Sequence, residues 1–260
     1  MTITPSIKKD YLINLAKNGK RADGRKPDEF RKIEIETNII QKAEGSARVK
    51  IGNTQVVAGI KMDVGEPYPD SPNEGVMTTA AELIPLASPD FEAGPPREDS
   101  IELARVVDRG IRESKLIDVE KLCIEPHEKV WIVFIDIHII DYDGNLFDAA
   151  SLASLAALMT AKVPAERFEL GKDYPLPLKD PPISCTSVKY NGVIITDPSL
   201  DEQEIAEARL TVATDKKGDI RAMQKGLNGS YSVDEIKKVI KASLDNGKKI
   251  REQLYRSVGK

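Results

Sequence analysis

The chain has 260 residues, 40% apolar and 31% charged, with 38 Lys and Arg against 42 Asp and Glu for a formal charge of −4. This is the composition of a soluble globular chain with a substantial core, built as one large domain or two intimately packed ones. The net charge gives no global attraction to nucleic acid or to an anionic membrane, so any polyanion binding needs a local patch.

Two cysteines, Cys123 and Cys185, fit no metal-ligand spacing and read as free buried thiols in a reducing compartment. No signal-peptide pattern opens the chain and no apolar run reaches membrane-spanning length, so the expectation is a cytoplasmic protein with no membrane partner.

In chain order, Pro5 to Lys17 predicts a short helix, with Ile7, Tyr11, Leu12 and Leu15 at helical spacing and Asn18-Gly19 as its stop. A basic loop follows from Arg21 (RADGRKPDEF). The period then changes to two, and Phe30 to Val64 reads as an antiparallel meander with a tight turn at Gly52-Asn53. A Pro/Gly-rich loop, Gly65 to Gly75, reads as a surface or partner contact and leads into a fourth strand.

Pro95 to Leu116 carries the longest clean amphipathic pattern. At about 100° per residue, Leu103, Ala104, Val106, Val107, Gly110, Ile111 and Ser114 form a core-facing arc, and Arg105, Arg109 and Arg112 gather on the opposite side. Guanidinium groups one turn apart suit a phosphate backbone. Glu102, Asp108 and Glu113 flank the row at i,i+3 and i,i+4 spacing and offer the alternative of ion pairs on a solvated surface. Glu98 and Asp99 stand at the helix start, with Asp99 as its expected N-cap, and two carboxylates there repel an incoming phosphate.

Leu122 to Asp141 predicts one long strand, apolar enough to be covered on both faces, closed by the turn DYDGN. His138 and Asp136 share a strand face, but with only one other histidine, His127, no metal site is expected. Ala149 opens a small-residue helix. Pro164 to Pro182 reads as a connection between halves. Two hairpins follow it, and then a helix from Val233 to Val258. The division expected is 1–29 for the opening helix and basic loop, 30–163 for a first domain, 164–183 for the connection and 184–260 for a second domain. There is no Walker loop, GxGxxG, GxSxG or HExxH. From the residues alone the chain is an α+β protein with one arginine-lined helix.

The segments RADGRKPDEFRKIEI, GSARVKIGNTQVVAGIK, GPPREDSIELARVVDRGIRESKLID, VWIVFIDIHIIDYDGNLFDAASLASLAAL and LNGS lie in the order found in the RNase PH family, which the chain resembles over most of Arg21 to Leu254. Within that family, GEPYPDSPNEG and IELARVVDRGIRESK resemble the catalytically inactive ring subunits of the archaeal exosome. The resemblance implies an RNase PH-type α+β fold, two similar halves of mixed or antiparallel sheet with packing helices. Active members are phosphorolytic 3′-to-5′ exoribonucleases that use arginines to hold phosphate and an Asp-x5-Asp pair for acid and metal roles. At the matching positions this chain has Glu98 and Asp99 for the twin arginines, no basic residue in DYDGNLFD, and Gln203 and Arg209 for the two aspartates. The resemblance therefore implies no catalytic residue, no metal and no cofactor. It implies RNA contact through Arg105 and Arg109, with Arg112 as a less direct addition. The partners implied are an active RNase PH-type subunit in a heterohexameric ring, cap subunits with RNA-binding domains, and single-stranded RNA. Two rival expectations stand beside this: an active exonuclease working through Asp201 and a shifted site, and a purely structural scaffold whose Arg105 and Arg109 are locked by Glu102, Asp108 and Glu113.

Overall fold

The computed structural model describes residues 6–259. The opening helix α1 spans Ser6–Lys17; the expected start at Pro5 and the side chain of Ile7 lie outside the described residues. Leu12 and Ala16 bury against Val188, Tyr190, Ile195 and Ile205, so the first helix of the chain docks on its second half. Tyr11, expected on the apolar stripe, is exposed.

The meander is β1 (Ile33–Thr37), β2 (Gly45–Ile51) and β3 (Thr54–Gly65), with Gly52 at φ +60 in the turn. Strand β4 (Val76–Leu83), helix α2 (Glu98–Glu113), a short β5 (Cys123–Glu125) and β6 (Lys129–Asp141) complete a six-stranded sheet of order β1-β2-β3-β6-β4, with β5 on β6. β4 runs parallel to β6 and the other pairs are antiparallel. A parallel pair needs a crossover, and α2 lies within it, packed on the edge strand β4. The single long strand expected over Leu122 to Asp141 is in fact a 3-10 turn at Val119–Leu122, then β5 and β6 around a corner where His127 takes φ +68.

Helix α3 (Leu146–Thr160) is buried on all sides from Phe147 to Leu158, because it lies against β2, β3 and β6 on one side and the second half on the other. The second half has β7 (Lys162–Val163) pairing β8 (Tyr174–Pro175), and then β9 (Ile183–Tyr190), β10 (Val193–Thr196), α4 (Leu200–Glu204), β11 (Ala208–Thr214), β12 (Ile220–Gly226) and α5 (Val233–Ser257). Its sheet has the order β10-β9-β11-β12 and is antiparallel throughout. Helix α5 starts with a capping box, Ser232 Oγ accepting from Glu235 N and Glu235 Oε2 accepting from Ser232 N, and covers β9 and β11. The architecture is the expected α+β fold of two sheets with packing helices. One core cluster runs from Val49 and Ile135 through Leu155 to Ile183 and Ile250.

The apolar run of β6 is covered on one face only. Val133, Ile135, Ile137 and Ile139 are buried in the core on the α3 side, whereas Ile132, Phe134, Asp136, His138 and Ile140 stay half-exposed because no layer among the described residues crosses the other face. Cys185 is buried as expected, but Cys123 is only partly so. The Pro-rich stretch is tied down: Leu176 N donates to the Ala161 carbonyl, Asp118 N to that of Pro177 and Lys179 N to that of Leu116.

Strand β2 approaches α3 closely at Gly45. A Cβ on Gly45 would fall 2.3 Å from the Ala157 carbonyl oxygen and 2.8 Å from Ala161 Cα, both backbone atoms that cannot swing away. Gly45→Ala is expected to cost about 3 kcal/mol of folding stability through overpacking, read as a lower denaturant midpoint. Gly59→Ala on β3 serves as the control, since nothing lies within 4 Å of its Cβ position.

Candidate functional site

Helix α2 buries Leu103, Val107, Gly110 and Ile111 and keeps Arg105, Arg109 and Arg112 exposed, as the periodicity predicts. The three arginines line one open cleft of about 380 Å³, together with Tyr68 from the Pro/Gly loop and Thr78 and Thr79 from β4. Their states differ. Arg112 is engaged: Nε and Nη2 donate to the two oxygens of Asp108 at 3.0 and 3.1 Å, and Nη2 also donates to the Met77 carbonyl at 3.1 Å. The ion pair with Asp108 raises the Arg112 pKa further above its ordinary value. Arg109 makes one long neutral contact, Nη1 donating to Gln224 Oε1 on β12 at 3.3 Å. Arg105 has no hydrogen bond or ion pair among the described residues. Of the expected surface pairs, the structure forms that of Arg112 with Asp108 and neither of those needed to lock Arg105 or Arg109.

The start of α2 is built differently from the expectation. Its N-cap is Arg97 in extended conformation with no side-chain cap bond, so Asp99 lies inside the first turn rather than capping it. Glu98 and Asp99 still place two carboxylates at the helix end that an anion would need. Beside it, Tyr142 stacks on Phe91 with ring centroids 5.3 Å apart and accepts a hydrogen bond at 2.7 Å from Gln203 Nε2. Burial pushes the Tyr142 phenol up to about 12, so it carries no charge at neutral pH. Gln203 Oε1 in turn accepts from Asn145 N at 3.0 Å. Arg209 is 8% exposed, its guanidinium lying 4.1 Å over the Phe147 ring and paired with Glu102. Asp201, the acid on which an active site of this chain would depend, faces the other way and pairs with Lys8 of α1 at 2.5 Å.

His138 Nδ1 lies 3.3 Å from a Glu82 oxygen, and among the described residues no three His, Cys, Asp or Glu side chains converge on one point. Among the described residues no helix is long and apolar enough to cross a membrane. Sequence reasoning placed the arginine row but missed Tyr68, Thr78 and Gln224 as its surroundings. An exposed tyrosine in a proline-rich loop was the available signal for the first.

The basic loop after α1 turns inward. Arg21 pairs with Glu202 in the interior and donates to the Thr196 and Asp197 carbonyls, each at 2.8 Å. Arg25 and Arg31 both reach the buried carboxylate of Asp197. This cluster joins the loop to the second half, and no local pattern announces it.

Residues 29–164 match the family described as 3′ exoribonuclease family, domain 1, and residues 180–246 match domain 2 of the same family. A curated protein named "Exosome complex component Rrp42" from Methanocella arvoryzae is 56% identical over 252 residues, covering 97% of each chain. Among solved structures, a chain of the Archaeoglobus fulgidus exosome with RNA bound to the active site superposes with a TM-score of 0.93 at 54% identity, covering 95% of this chain and 98% of that one. A chain of an archaeal exosome core superposes with a TM-score of 0.89 at 50% identity, covering 96% of each.

Proposed function

We infer the function of this chain from its family: it belongs to the RNase PH family of 3′ exoribonucleases, and we propose that it is a non-catalytic ring subunit of an archaeal-type exosome, a 3′-to-5′ exoribonuclease complex. The observation that carries the non-catalytic reading is the pairing of Arg209 with Glu102 and Phe147 where the family's active members need a carboxylic acid. Arginine cannot give up its proton to act as a base, and Gln203 beside it does not titrate. The carboxylates of Glu98 and Asp99 at the start of α2 oppose phosphate binding there. The rival reading through Asp201 is disfavoured by that residue's pairing with Lys8.

The positive role is RNA contact. Arg105 and Arg109 are exposed, uncommitted to any acid and aligned on one helix face, so they would hold backbone phosphates of an RNA strand while the partner subunit performs phosphorolysis. Contacts of that kind give salt-sensitive affinity with little sequence preference. Arg112, already neutralised by Asp108, would add to the rim of the same cleft. The pure scaffold reading draws on this one pair. The remaining proposals are cap subunits with RNA-binding domains on the ring, a cytoplasmic location, and a division into 30–163 and 184–260 about the connection 164–183.

The test is a phosphorolysis assay with labelled single-stranded RNA and inorganic phosphate, run on this chain, on its active-type partner and on the two together. Efficient release of nucleoside diphosphates by the mixture, with none from this chain, is the expected result. Release by this chain alone would overturn the non-catalytic reading.

A further inference from the structure

Arg209 does more than fill a vacated acid position. It is the second residue of β11, yet its guanidinium touches three other elements: it stacks 4.1 Å over Phe147 at the start of α3, pairs with Glu102 on α2, and lies across the backbone of Gly226, its register partner on β12. A Cβ at residue 226 would fall 2.5 Å from Arg209 Nη2 and 2.8 Å from Cζ. Gly226 has no positive φ, and the guanidinium occupies the space that a side chain at 226 would take. A flat group over a glycine and against an aromatic face is a slot for arginine and not for lysine, whose compact ammonium can neither stack nor lie flat. Arg209 Nε is buried without a partner, so the slot is kept despite an unmet hydrogen bond.

The other end of the clamp is on the arginine helix. Glu102 lies one turn before Arg105 and two turns before Arg109 on α2, and the same helix meets β12 again where Arg109 reaches Gln224. The buried face of Leu103, Val107 and Ile111 sets the rotation of the helix and so the direction of the row, while the tie to Arg209 sets where the Glu102 carboxylate points. That tie also removes a competitor: at i,i+3 spacing a free Glu102 is within reach of Arg105.

We propose that Arg209 is a positioning residue for RNA binding, which holds Glu102 away from Arg105 and so keeps the Arg105 guanidinium free for the RNA. This rests on the reading of Arg105 and Arg109 as RNA-contacting. It gives the residue at the lost acid position a role in presenting substrate to the neighbouring subunit's site.

The experiment uses the ring assembled with its active-type partner. It measures RNA affinity across a salt series, together with hydrogen exchange in residues 98–113 and sedimentation to confirm assembly. R209M is expected to weaken RNA binding about fivefold at low salt, with a shallower salt slope, as Glu102 turns to Arg105. R209M combined with E102Q is expected to regain most of that loss, which a merely structural defect would not allow. R209K, which keeps the charge and the fold but lacks the flat fork, is expected to fall between R209M and the unaltered ring. Wild-type affinity and slope in R209M and R209K, alongside poor binding by R105E/R109E, would overturn the positioning role alone. Failure of the E102Q combination to restore binding would also overturn it. If R105E/R109E binds RNA normally, the RNA-face reading falls and this inference with it.

Discussion

Replacing Arg105 and Arg109 together with glutamate is expected to lower the affinity of the assembled ring for single-stranded RNA by at least about tenfold at low salt and to flatten its salt dependence. Each lost contact to a single strand removes about 0.7 from the slope of log affinity against log salt, so the pair should remove about 1.4. The physical basis is that neither guanidinium is held by an acid, so both charges are available to release counterions from the RNA. Arg112→Glu should have a smaller effect on RNA, because its charge is already shared with Asp108. Its main cost should be the tie between α2 and the edge strand β4 through the Met77 carbonyl. Fluorescence anisotropy over a salt titration reads both variants. An unchanged slope in the double variant would favour the scaffold reading, provided the ring still assembles.

Asp197→Ala is expected to be strongly destabilising, at about 3–5 kcal/mol, because it strands charged partners in the interior. The Asp197 carboxylate accepts from Arg31 N, Nε and Nη2 at 2.8, 2.9 and 2.8 Å, from Arg25 Nη1 at 2.8 Å and from Asn145 Nδ2 at 2.7 Å. These bonds join the basic loop, the start of α3 and the second sheet. Burial alone pushes the Asp197 carboxyl up, but the hydrogen bonds and charge of Arg31 and the bond from Asn145 outweigh it, and its pKa lies below the ordinary 3.8. A lowered acid contributes stability that is fully present above its unfolded pKa and lost as pH falls through the folded one. The contribution of Asp197 should therefore be complete at neutral pH and fade only below about pH 3.8. Denaturant midpoints across pH would show this acid-side loss in the natural chain and its absence in Asp197→Ala. Equal midpoints at neutral pH would contradict the assignment.

Much of the fold was legible because it is written in local periodicity. Alternation along β1 to β3 and the 3.6-residue stripe of α2 are set by neighbours in sequence, and both stand where expected. The errors have common causes. The continuous apolar run of β6 does not say how many layers cover it, and the residues 122–141 do not announce the corner at His127 because a positive φ there is imposed by the β5–β6 pairing. Nothing local announces that the basic residues after α1 turn inward, since the acids of Arg21, Arg25 and Arg31 that lie in the second half, Glu202 and Asp197, are more than 160 residues away in the chain.

That Gln203 and Arg209 carry no carboxylic acid was also decided by sequence alone, because folding cannot supply a group the residues lack. Which arginines stay free of an acid was not so decided. On α2 the acids Glu102, Asp108 and Glu113 all stand at i,i+3 or i,i+4 from an arginine of the row; helix geometry favours Asp108 before Arg112 but does not decide whether Glu102 and Glu113 take Arg105 and Arg109. The tertiary fold breaks that tie. It draws Glu102 to Arg209 across 107 residues, gives Asp108 to Arg112 beside the β4 edge, and leaves Arg105 and Arg109 facing solvent. Partners of equal local reach are distinguished only by what else is packed near them, and that is fixed by long-range contacts.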